Sequence, residues 1–246
     1  MAPPWMLLRL AIETATHHAA ADEDRLSLMD VKTRAEYRSF LVRIYGFEHA
    51  VEAAIMRVKD LDPEVMRGRL RGEYLEHDLL SLGLSSEVLA WLPRLTNVPI
   101  RTAPQALGWL FVLERSTLVA GILRRHVERA LGDSLCGAVR YLAAYGEAPG
   151  ARFRALGERL GAYAHRYTPG MIVAAANDAF RAQRQWYASF GRASARGTDA
   201  GESRVLQLAQ MPVDAPPTTI ADRAIADRAE AEPVLPPVQA AKRMAR

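Results

Sequence analysis

Apolar residues recur at helical spacing along most of the first 191 positions, the three-to-four-residue interval that puts side chains on one helix face. Leu8, Ile12 and Ala15 begin one stripe; Tyr37, Phe40, Leu41, Ile44 and Phe47 with Glu48 make a second. Leu107, Leu110, Phe111, Leu118, Gly121, Ile122 and Arg125 make a third. Met171, Ala174, Ala175, Asp178, Ala179 and Gln183 with Trp186 make a fourth. Helix-starting residues stand where they should: Asp30 and Thr33 before the second stripe, Thr102-Ala-Pro104 at the third, Thr168-Pro169 at the fourth. Strand-like alternation with hairpin dipeptides is absent. The pattern predicts an all-α domain over 1–191 with about seven to nine helices.

The pattern stops after Gly191. Residues 192–246 contain no Phe, Trp or Tyr, although the chain has 18 of these, and they hold six of its 14 prolines. A tandem repeat, Ile220-Ala-Asp-Arg-Ala then Ile225-Ala-Asp-Arg-Ala, lies within them. Too little apolar surface is present to offset ordering entropy, so 192–246 is expected to be a disordered polar tail.

Charge and cysteine content narrow the function classes. The net charge of +4 arises from interspersed residues, not from a basic run of the kind that tracks nucleic acid. One cysteine, Cys136, forms neither an internal disulfide nor a thiolate metal cluster, so a reducing, cytoplasmic setting is expected. The most apolar run, Ala106 to Leu123, is interrupted by Glu114-Arg115, and no membrane span is expected. Met1 to Leu10 has neither the basic start nor the cleavage site of a signal peptide.

Candidate chemistry gathers in two places. His17 and His18 point about 100° apart on a helix, so only one can serve a given ligand. His18 shares a face with Thr14 and Asp22, and a metal-bound imidazole is commonly held through its other ring N–H by such a carboxylate. Spacing alone is met equally by a solvated His-Asp pair, the commoner arrangement, and His17 reads as a surface residue. The third stripe carries Ser116, Thr117, Ala120 and Gly121 in close succession. Small residues there let a flat ligand, or more commonly another helix, approach the backbone. Glu114 faces partly inward and needs a partner that the sequence does not identify.

Taken in order, these residues resemble the haem oxygenase family, in particular the bacterial type that accompanies bacteriophytochromes. Leu10, Thr14, His18 and Asp22 are similar to the family's first-helix pattern, and Tyr37 to Glu48 to its second helix. Arg71 to Leu79 with Leu82-Gly83, then Gly108 to Leu123, then Ala174 to Trp186 with Phe180 continue the likeness in family order. The resemblance implies a multi-helical fold with haem in a slot between a proximal helix bearing His18 and a distal helix. It implies His18 as axial iron ligand, Asp22 as its orienting partner, and Ser116 as the polar distal residue that holds water. It further implies contacts to haem from Arg115, Val119, Ala120 and Gly121, and propionate contacts from His165, Arg166 and Tyr167. The implied reaction uses O₂ and electrons from a ferredoxin or reductase, and yields biliverdin, CO and ferrous iron, the biliverdin serving a bacteriophytochrome.

The likeness is broken where the reaction is most demanding. The family's distal helix reads Gly-Ser-x-Leu-Gly-Gly, and this chain has Arg115-Ser116-Thr117-Leu118-Val119-Ala120. The position after Leu10, basic in the family, is Ala11. Two readings therefore stand: a working haem oxygenase, and a non-catalytic relative that binds haem or another tetrapyrrole or acts through protein contacts. A third, a non-haem di-iron protein, would rest on Glu73, Glu76 and His77, which lack a mate.

Overall fold

The computed structural model describes residues 3–146, 148–167 and 169–196. Ten α-helices lie among them: α1 Trp5–Glu13, α2 Ala15–Leu26, α3 Arg34–Ile55, α4 Gly72–Ser81, α5 Ser86–Trp91, α6 Ala103–Arg115, α7 Ala120–Leu131, α8 Arg140–Ala143, α9 Pro149–Ala164 and α10 Pro169–Arg196. The fold is all-α, with no strand among the described residues. The count exceeds the expected seven to nine because two helical runs are interrupted. Thr14 divides α1 from α2, and a 3-10 turn at Ser116–Val119 divides α6 from α7. Helix α10 runs through the expected boundary at 191; the part of the tail after Arg196 lies outside the described residues.

Local chemistry sets several helix ends. Thr33 Oγ1 accepts the Glu36 N–H at 3.2 Å while Glu36 Oε2 accepts the Thr33 N–H at 3.0 Å, a reciprocal cap that starts α3. Thr102 and Gln105, with Pro104 in the first turn, start α6 in the same manner.

Helix α6 packs along α10, α9 against α1, and α3 against α4. The α6 and α10 backbones meet at Gly108, where an added Cβ would lie 2.7 Å from Ala175 Cβ and from Ala176 N. Close approach by another helix, weighed above for Ser116 to Gly121, is tightest here, while the Ser116–Val119 turn packs against α2 and α9. The helical run Ala103–Leu135 is long and apolar enough to cross a membrane by length and composition. Its most apolar window is 61% buried inside the fold, so it serves as core.

The second stripe is buried from Tyr37 to Glu48 as expected. The first is corrected: Leu8 and Ile12 are exposed, and α1 instead buries Met6, Leu7 and Leu10, with Leu7 seated on the bare backbone of Gly157 in α9. The third holds only to Phe111. After the 3-10 turn the register rotates, and Leu118 and Ile122 face outward, 41% and 52% exposed.

Candidate functional site

Helix α2 packs against both α10 and the 3-10 turn of the distal run, so His18 stands on one wall and residues 115–121 on the other. The distal run changes from α-helix to a 3-10 turn at Ser116–Val119, with no glycine in the turn. Thr117 Oγ1 donates to Glu114 O at 2.7 Å and Ser116 Oγ to Leu113 O at 2.6 Å, and such back-bonding bends helices. Ser116 thus spends its proton on its own helix and keeps only acceptor capacity. At Gly121 an added Cβ would meet, among the described residues, only Arg125 Nη1, at 3.7 Å, so that side of the glycine is open.

The His18 ring is half-buried beside Phe180, centroids 5.6 Å apart. Thr14 Oγ1 lies 2.9 Å from His18 Nε2 and donates to Leu10 O at 2.7 Å. The hydroxyl has one proton and gives it to Leu10, so Nε2–H of His18 is the donor to Thr14. Burial, with the Arg115 cation second, holds the His18 pKa below its usual 6.5, which keeps the imidazole neutral near pH 7. His17 is more than a surface residue: it stacks on Phe180 at 17°. With Asp24, Gln183 and Arg184 it lines a cavity of about 300 Å³.

Asp22 acts on the His18 imidazole through its charge, but its hydrogen bonds go elsewhere. Its carboxylate is gripped by Arg115 at the end of α6, Nη1 to Oδ1 at 2.6 Å and Nη2 to Oδ2 at 2.9 Å. The planar guanidinium matches both carboxylate oxygens at once, a geometry that one imidazole N–H does not offer. Val119 and Ala120 are half-buried against the core, one turn beyond Arg115.

His165, Arg166 and Tyr167 are not brought to this gap. They follow α9, where Tyr167 Oη donates to Asp60 Oδ2 at 3.2 Å, and the same oxygen accepts the N–H of Ala103 at the start of α6. That end lies about 18 Å along the helix from Arg115.

Behind the distal turn lies a buried ionic network that spacing did not reveal. Arg25 of α2 donates to Glu48 and, at 2.7 Å, to Tyr141 Oη, which donates to Glu48 Oε1 at 2.7 Å. Arg71 pairs with Glu48 Oε2 at 3.1 Å and donates to Leu113 O at 3.1 Å. Glu114 accepts from Arg69 and from Tyr145, the partners the sequence did not identify. Burial pushes the Tyr141 and Tyr145 hydroxyls well above their usual range and raises Glu52 to about 7. Asp78 accepts the backbone N–H groups of Arg140 and Tyr141 at 3.0 and 2.9 Å, which fixes Tyr141 in place. The sequence signals were two carboxylates on otherwise apolar stripes, Glu48 and Glu114.

Glu76 accepts from Tyr45 Oη at 3.0 Å and lies 3.6 Å from His49. Among the described residues no group of three or more His, Cys, Asp or Glu is set to hold a metal ion. The chain matches the family described as Heme oxygenase over residues 6–189. No curated protein and no solved structure matches it. With its helices from Met6 in α1 to the greater part of α10 inside that match, the chain belongs to the haem oxygenase family.

Proposed function

We propose that this chain binds haem between α2 and the distal run and cleaves it oxidatively to biliverdin, CO and ferrous iron. The observation that carries the reading is the 3-10 turn at Ser116–Val119, packed against the helix that bears His18, with only Arg125 Nη1, among the described residues, near the open side of Gly121. The donor set fits the group: a neutral imidazole suits haem iron, Arg115 suits a propionate, and exposed Leu118 and Ile122 suit an apolar macrocycle. When bound, haem supplies the oxygen-activating iron and is itself the substrate. His18 would hold the iron through a ring nitrogen; ligation through Nε2 would require its proton to move to Nδ1 and the contact with Thr14 to be given up. Ser116, whose proton is engaged, would accept from water on the distal side. An external ferredoxin or reductase would supply electrons, the setting would be cytoplasmic, and a bacteriophytochrome would use the product.

A second reading is favoured by the same wall. Val119 and Ala120 add side chains where the family has glycines, and Arg115 ties the distal run to α2, which suits a tetrapyrrole binder without turnover. A hemin titration followed by addition of an electron donor and O₂ separates the two. The first reading expects a histidine-ligated Soret band that bleaches as biliverdin and CO form, and loss of that ligation in His18→Ala. Binding without either product selects the second.

A further inference from the structure

The partner of Arg115 is a carboxylate from the opposite wall, 93 residues away in sequence, held by two parallel hydrogen bonds. A guanidinium makes this fork-to-fork pairing with any alkyl carboxylate, a haem propionate included. The pair stands one turn from His18, about 6 Å along α2. It is reachable from solvent, the two side chains being 18% and 41% exposed. A flat ligand between α2 and the distal run must part it.

From this geometry, and resting on the haem-binding reading, we propose that Asp22 is a built-in competitor for the carboxylate site of Arg115. It closes the slot in the ligand-free chain and yields to a ligand propionate. The exchange is one carboxylate for another, so the guanidinium keeps a bidentate partner throughout. A ligand of the same shape without carboxylates finds no such compensation. The pair therefore discriminates for acidic tetrapyrroles as well as holding the walls together. A partly exposed pair biases the closed state by up to about fivefold, enough to tune admission without blocking it.

The test uses the full chain with Asp22→Asn, Arg115→Gln and the double variant. Without haem, amide hydrogen exchange across Ala15–Leu26 is expected to quicken about two- to fivefold in either single variant. The double variant should add nothing further, and α6 amides should be unchanged. With ligand, Asp22→Asn is expected to bind hemin about two- to fivefold more tightly than the wild type. Arg115→Gln is expected to lose the preference for hemin over its dimethyl ester. Unchanged α2 exchange in both single variants, or additive effects in the double, overturns the closing contact. Exchange that changes as expected while Asp22→Asn leaves hemin affinity unaltered, or an Arg115→Gln variant that keeps the full preference, overturns the displacement. Failure of the wild type and Asp22→Asn alike to bind hemin removes the haem reading and the displacement with it.

Discussion

Glu114 and Arg115 are consecutive residues at the end of α6, and they face opposite surroundings. Glu114 points into the core, 1% exposed, where Arg69 and Tyr145 hold both of its oxygens. Arg115 points across the gap to a carboxylate that water also reaches. Both are Arg-carboxylate pairs, yet the first cannot exchange its partner and the second can. A buried charge has no water to fall back on, so its pairing is fixed by the penalty of leaving it alone. A half-exposed pair is held only by its own geometry and is screened by salt.

The largest expected effect breaks the inner side. Glu114→Ala leaves Arg69 buried without its carboxylate and is expected to cost about 3–5 kcal/mol, read as a lower urea midpoint. Second, burial raises the folded-state pKa of Glu52 to about 7 above the usual 4.5, even though its carboxylate accepts two backbone N–H groups. The folded chain then binds a proton that the unfolded chain releases. Its stability contribution is present below pH 4.5 and is lost as pH rises to 7, by up to about 3 kcal/mol. Unfolding at pH 5 and pH 7 should show this slope, and Glu52→Gln should flatten it.

Third, the two glycines of the distal run should part company. Gly108→Ala forces a methyl into α10 and is expected to cost about 1–3 kcal/mol, whereas Gly121→Ala should stay within about 0.5 kcal/mol of wild type. Equal effects in thermal unfolding would erase the distinction between the faces. The smallest effect belongs to the outer pair. Arg115→Gln is expected to shift stability by under about 1 kcal/mol, with the difference vanishing in 1 M salt.

The same contrast explains what the sequence could disclose. Stripes and caps are local, so the start of α3 at Thr33 and its inner face from Tyr37 to Glu48 were legible, while its continuation to Ile55 was not. The likeness in family order placed His18 and the distal run. The polar pairs were not legible, because Arg69 and Glu114 are 45 residues apart and Arg25 and Tyr141 are 116 apart, and no local spacing encodes such pairings. Asp22 misled for a related reason. Its position four residues after His18 satisfies the geometry of an orienting partner, but a guanidinium from a distant segment matches two oxygens where an imidazole matches one. The 3-10 turn at Ser116–Val119 was not legible either, because the bonds of Ser116 and Thr117 to their own backbone leave no mark in the apolar spacing.

Helix α2 is fastened near both of its ends. Thr14, fully buried, closes its start, and Arg25, held by Glu48 and Tyr141, pins its finish. Between these anchors lie about 16 Å of helix whose middle carries His17, His18 and Asp22. A beam clamped in this way cannot swing outward like a door; it can bow or roll about its own axis. Any widening beside His18 is therefore largest at mid-span and vanishes at either clamp, which limits an admitted molecule in thickness rather than in breadth.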